Sequence, residues 1–80
     1  MRLDKYLKVS RIIKRRTVAN DACDNDHVTV NGRPAKASYD VKEGDIIEIR
    51  FGSRSLKVKV VDVREHALKA NASSMYEVIG

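Results

Sequence analysis

The sequence predicts an α+β domain in which short N-terminal helices pack on a small, mainly antiparallel β-sheet. Three observations carry that prediction. Apolar residues recur at helical spacing up to about residue 26, they recur at alternate positions from Val28 onward, and every glycine lies in the second of these two parts. Eighty residues make one domain, 1–80, near the low end of what folds alone.

The helical part divides into short pieces. Leu3, Tyr6 and Leu7 stand at i, i+3 and i+4 and share one side of a first helix, which makes Tyr6 a core aromatic; Lys5 and Lys8 fall on another side. Ser10 is placed to cap or interrupt it. Arg11 to Arg16 reads as a second short turn or helix, with Ile12 and Ile13 inward and Arg11, Lys14 and Arg15 outward. Thr17 suits the N-cap of a third helix whose apolar stripe is Val18, Ala19, Ala22 and Cys23. Asp24-Asn25-Asp26 ends it, because Asn and Asp tolerate the left-handed backbone of a helix stop.

Strands follow. Val28 and Val30 flank Thr29 and lead into Asn31-Gly32, a strong signal for a type I′ hairpin, whose central residues both need positive φ. Val41-Lys42-Glu43-Gly44-Asp45 forms a second turn and delivers the chain into residues 46–51, where Ile47, Ile49 and Phe51 share an apolar face. Gly52 and Ser53 turn it back into Leu56, Val58 and Val60, which alternate with Lys57 and Lys59, a pair that keeps the outer strand face soluble. Val61 and Val63 take the opposite parity, and a bulge between Val60 and Val61 reconciles the two halves. Glu65 to Ser74 is a polar excursion, and Met75 to Ile79 adds a short last strand.

Charge is unevenly placed along this plan. The first sixteen residues hold seven Lys or Arg against one acid, Asp4, for a net +6, while the remaining nine bases and ten acids give −1. A charge so concentrated points to an anionic partner, with nucleic acid foremost. Arg2, Arg11, Arg15 and Arg16 offer planar bidentate donors to phosphate oxygens, and Lys5, Lys8 and Lys14 act as mobile point charges. A-form RNA hides its bases in a deep groove, so a compact cation array on short helices suits it. Asp4 either orients an arginine such as Arg2 or accepts from RNA directly. Asn31 is first a turn former; Arg33 and Lys36 flank that turn and extend the binding surface.

Other functions fare worse. The lone Cys23 forms no internal disulfide and suits a reducing cytoplasm, and the chain shows neither a signal peptide nor an apolar run that spans a membrane. Cys23 and His27 are four apart, but the remaining ligands of a zinc site are missing, so no metal and no cofactor is expected. No nucleophile–base arrangement, Gly-rich phosphate loop or paired carboxylates mark catalysis. A membrane-surface or general polyanion binder calls for one long amphipathic helix, whereas breaks at Ser10 and Thr17 interrupt this one.

Four blocks, MRLDKYL, SRIIKRRTVA, VTVNGRPAK and VKEGDIIEI, resemble in order and spacing the small RNA-binding domain named after small-subunit ribosomal protein S-four. The resemblance makes residues 1–51 a motif core and 52–80 a strand extension. The family often carries Gly and a basic residue before the first strand; Asp26 and His27 stand here, and Asp accepts positive φ at modest cost. Histidine is a weaker phosphate partner than arginine, so His27 is left out of the contact set. The resemblance implies RNA binding through the helical face, with the Asn31-Gly32 hairpin alongside.

Within the family the chain is most similar to the stand-alone factor of bacterial ribosome-associated quality control and, more distantly, to the fifteen-kilodalton heat-shock protein. That similarity implies a cytoplasmic, non-enzymatic protein, monomeric when free. It implies contacts with the rRNA of obstructed large ribosomal subunits and with peptidyl-tRNA. It also implies work beside RqcH on the same subunit, where C-terminal alanine tails are added to stalled chains. The alternatives are a detached RNA-targeting module of an RNA-modifying enzyme and a general large-subunit rescue factor.

Overall fold

The computed structural model describes residues 1–63 and 75–80. Two helices, α1 (Leu3–Val9) and α2 (Arg16–Asp24), precede strands β1 (Val28–Val30), β2 (Arg33–Pro34), β3 (Ile46–Phe51), β4 (Arg54–Val60) and β5 (Tyr76–Val78). The strands form one antiparallel sheet in the order β2-β1-β3-β4-β5. The expected polar excursion, 65–74, lies outside the described residues.

The predicted alternation builds the core. Register places Val28 beside Ile49, and Val30 beside Ile47, which in turn faces Val58. These five side chains and Val60 are buried against Leu3, Tyr6, Leu7, Ala19 and Cys23 from the helices. On the other face Thr29, Glu48 and Lys57 line up across β1, β3 and β4, and both Lys57 and Lys59 are exposed. The Asn31-Gly32 turn has the required positive φ at both residues, 54° and 83°.

α1 begins without a side-chain cap; backbone carbonyls from a distant loop take its place. Leu3 N donates to Tyr39 O at 2.8 Å and Asp4 N to Ala37 O at 3.2 Å, satisfying two amides that no helical partner can reach. The backbones of Arg2 and Asp40 form an isolated antiparallel β-bridge, and the N-terminal ammonium binds the Asp40 carboxylate at 2.8 Å. The extreme N-terminus, with its cations, is thereby tied to residues 37–41.

Of the two forms open to residues 11–16, turn or short helix, the chain takes the turn. α1 stops at Ser10, whose Oγ donates to Leu7 O, and Arg11 takes a left-handed φ of 63°. A left-handed Arg11 breaks the helical ladder, and in a helix Arg11 would lie three and four residues from Lys14 and Arg15, a like-charge placement that destabilises it. Ile13, buried, anchors the resulting turn, while Ile12 is half-buried. Thr17 is accordingly not an N-cap: the second helix starts one residue earlier, with Arg15 at the cap position and no side-chain cap bond.

Two apolar residues fall outside the core they were expected to join. α2 turns Ala19 and Cys23 inward, which leaves Val18 half-exposed on its flank. Phe51, the last residue of β3, is 48% exposed although Ile47 and Ile49 of the same face are fully buried; it lines an open concavity together with Val18 and Ala22 of α2. The step near Val60 is present but shifted: β4 ends there, and the consecutive amides of Val61 and Asp62 share one acceptor, Met75 O, at 2.9 and 3.1 Å.

That carbonyl also receives the Tyr6 hydroxyl at 2.7 Å, joining α1 to the chain entering β5. Burial pushes the Tyr6 phenol well above its ordinary pKa, so it stays a donor. Since Met75 O keeps two amide donors without it, Tyr6→Phe should cost only about 1 kcal/mol in denaturant unfolding, one net hydrogen bond with the ring retained. A loss of several kcal/mol would show that this bond organises the core.

Candidate nucleic-acid interface

Asp4 is the centre of the basic surface and is itself 2% exposed. It stands in the first turn of α1, where a carboxylate is favoured by the helix dipole. Its Oδ1 accepts from Arg2 Nε at 3.2 Å and from the Lys5 amide at 2.8 Å; its Oδ2 accepts from Arg16 Nε at 3.3 Å and Asn20 Nδ2 at 3.4 Å. Burial by itself would push the Asp4 pKa up. Together the Asn20 amide, the Lys5 backbone amide, Arg2 and Arg16 outweigh that effect and hold the carboxyl below its ordinary value.

The geometry makes one acid the hinge pin of two arginines from different helices. Each guanidinium is engaged by Asp4 through Nε, and each side chain remains about half exposed, 52% for Arg2 and 48% for Arg16. Their terminal amino groups are therefore not consumed by this carboxylate and suit bidentate contact with phosphate. Of the two roles open to Asp4, orienting an arginine or accepting from RNA, the geometry shows the first: it lies buried and bonded to Arg2 and Arg16.

The start of α2 adds donors. With Arg15 at the cap position and no acid in the first turn, its leading amides have no side-chain acceptor, and the positive end of the helix dipole lies between Arg15 and Arg16. Helix N-termini of this kind favour phosphate. A shallow concavity lined by Asp4, Arg16, Thr17, Asn20 and Asp21 opens beside it.

The other expected residues divide into two groups. Lys8, Arg11, Lys14 and Arg15 are exposed along α1 and the following turn, and Lys5 is half-buried. Arg33 and Lys36 are exposed near the hairpin, Lys36 Nζ lying 3.8 Å from Asp26 Oδ1 in a solvent-exposed pair that contributes little. Asn31 is exposed but its side chain is engaged at both ends: Nδ2 donates to Asp45 Oδ1 at 3.1 Å, and Oδ1 accepts from Ile46 N at 3.0 Å. Asp26 adopts φ 60°, the left-handed conformation that its place before β1 requires.

Three residues of this region have no place in the sequence-derived set: Asn20, Tyr39 and Asp45. Asn20 is four residues beyond Arg16, so the helical spacing itself puts both on the flank facing Asp4. Asp45 was legible only as part of a turn. Among the described residues no group of three or more His, Cys, Asp or Glu could hold a metal ion, and no helix is long and apolar enough to cross a membrane.

Comparison with known proteins agrees with this geometry. A model of the S4 domain matches residues 1–47. The chain belongs to the S4 domain family. This S4 domain protein is 56% identical over 79 residues, 99% of the chain and 90% of the relative, to the RQC P-site tRNA stabilizing factor of Streptococcus pneumoniae. It is 54% identical over 78 residues to the protein of the same name from Halalkalibacterium halodurans, covering 98% of the chain and 89% of the relative. At such identity and coverage it is also a member of that narrower family. Among solved structures, the S4 domain protein matches the trimeric Heat Shock Protein 15 of Vibrio cholerae with a TM-score of 0.90 at 28% identity, covering 99% of this chain and 81% of that one.

Within this S4 domain the Asp4 cluster sets a pH dependence. A carboxyl held below its ordinary pKa in the folded state contributes stability that is complete above about pH 4 to 5 and is lost as pH falls through the folded value. Asp4→Asn should therefore cost about 1–3 kcal/mol at neutral pH, the discounted cost of losing charge-assisted bonds to half-exposed arginines, and the gap from wild type should narrow toward pH 3. Thermal melts of both proteins across that range check it. A gap that stays constant would deny Asp4 its charged role.

Proposed function

We propose that this chain is a non-enzymatic RNA-binding factor that steadies P-site tRNA on large ribosomal subunits during ribosome-associated quality control. The observation that carries the reading is the pairing of near full-length similarity to RQC P-site tRNA stabilizing factors with two arginines aimed outward by one buried carboxylate. Arg2 and Arg16 come from different helices, so a phosphate backbone crossing both meets a fixed spacing and not a flexible basic tail. Lys8, Arg11, Lys14 and Arg15, exposed on α1 and the turn after it, and Arg33 and Lys36, exposed near the hairpin, supply the further cations of that array.

The mechanism is electrostatic positioning. Backbone contacts hold an RNA in register without reading its bases, and folded RNA is recognised through its shape and its phosphates. Bound to rRNA of an obstructed subunit and to peptidyl-tRNA, the protein limits the tRNA's freedom, while bond formation belongs to the ribosome. In this reading the protein is cytoplasmic, monomeric when free, and acts beside RqcH during addition of C-terminal alanine tails.

Binding of the purified chain to large ribosomal subunits carrying peptidyl-tRNA tests this. With about five phosphate contacts, log K falls against log salt with a slope on the order of −3.5 to −4.5. Arg16→Ala should weaken binding about ten-fold and make the slope shallower by about one, measured at a temperature where circular dichroism shows the variant folded, because Asp4 also loses one of its partners. A near-zero slope, or full binding by an Arg2→Ala, Arg16→Ala double variant, would overturn the reading.

A further inference from the structure

The cations near the hairpin and those on the helices belong to segments distant in sequence, and one carboxylate joins the segments. Asp45 is fixed to the sheet by its backbone: Val60 N donates to Asp45 O at 2.8 Å, and Gly44 N to Val60 O at 2.8 Å. From that anchor its side chain reaches two ways. Oδ1 accepts from Asn31 Nδ2 at the hairpin tip, 3.1 Å, and Oδ2 accepts from the Tyr39 hydroxyl at 2.9 Å and the Lys42 amide at 3.0 Å.

Both directions end at cations. Asn31 also pairs with Ile46 through its own amide and its side-chain oxygen, so the Asn31-Gly32 turn is held to the start of β3, and Arg33 follows immediately. Tyr39 N donates to Lys36 O at 3.0 Å, which places Lys36 in the same turn, and Tyr39 O receives Leu3 N, the residue after Arg2. Hydrogen bonds therefore link Leu3, the neighbour of Arg2, through Tyr39 and Asp45 to Asn31, two residues before Arg33. Three donors converge on two oxygens, a demand that a carboxylate meets and a carboxamide, with one acceptor oxygen and a donor NH2, does not.

We infer that Asp45 is a positioning residue of the RNA interface, setting through Tyr39 and Asn31 the separation between the Arg33–Lys36 cations and the Arg2–Arg16 cations. The inference rests on the proposed RNA-binding function. Asp45 touches no RNA in this account; it makes two clusters act as one rigid template, so that a folded RNA of matching shape engages both at once. Without it each cluster still carries its charge but pays an ordering cost on binding.

Tyr39→Phe cuts the path on the helix side and keeps the ring; Asn31→Gly cuts it on the hairpin side and keeps the positive φ. Binding of the full-length variants to large ribosomal subunits, alone and combined with Arg33→Ala, is compared at a temperature where circular dichroism shows each to be folded. Each single variant should weaken binding about three- to ten-fold, and Arg33→Ala should cost distinctly less in the Tyr39→Phe background than in wild type, because the two changes disable the same contact. The salt slope of Tyr39→Phe should be shallower by about one. Wild-type affinity for Tyr39→Phe and Asn31→Gly, or an Arg33→Ala cost that is the same in both backgrounds, overturns the positioning role. If Arg16→Ala still weakens binding in that case, the RNA reading survives; if neither Arg16→Ala nor Arg33→Ala has any effect, the RNA reading itself has failed.

Discussion

Everything at the basic surface depends on a carboxylate that cannot be seen from outside. Burying an unpaired charge is costly, so Asp4 is tolerated only because four donors from three backbone locations converge on its two oxygens. The same requirement constrains the rest: α1 and α2 must approach closely enough for Arg16 and Asn20 to reach it. Ala19 and Cys23 provide the small inward face that such an approach needs. What is read from outside as a cluster of like charges is, one layer down, a neutralised and ordered set of bonds. Like charges that would otherwise repel are held in one geometry without being hidden.

The sheet supplies the stiffness that makes this geometry worth having. Its inner face is a continuous aliphatic layer, and its β1–β2 hairpin, turning at Asn31-Gly32, leads into the loop whose carbonyls cap the start of α1. Because Leu3 and Asp4 hand their amides to Tyr39 and Ala37, the N-terminal segment, commonly the loosest part of a chain, is pinned at its first residues. The function proposed here needs such pinning, since Arg2 is only one residue from the terminus.

Much of this is legible in the sequence, for identifiable reasons. The stripe Leu3, Tyr6, Leu7 and the alternation of Ile47 and Ile49 are periodic signals that burial enforces, and Asn31-Gly32 is a turn signal that backbone sterics enforce. Asp4 stands out because it is the one acid among seven bases. Local spacing leaves 11–16 open between turn and helix because it does not register that Arg11 must reverse the chain between two packed helices. Val18 and Phe51 fit their patterns but line an open concavity between α2 and the end of β3, a tertiary fact that no short-range period contains. Asn20, Tyr39 and Asp45 escape notice because their roles arise from partners 6 to 16 residues away.

The central claim is that Asp4 couples Arg2 to Arg16, and a double-mutant cycle addresses it directly. Affinity for large ribosomal subunits is measured for Arg2→Ala, Arg16→Ala and the pair, first with Asp4 present and then in an Asp4→Asn background. The account predicts a coupling of at least about 0.5 kcal/mol between the two arginines when Asp4 is intact and a value near zero when it is replaced. Equal coupling in both backgrounds would contradict it, and would mean that the arginines are brought together by the RNA and not by the protein.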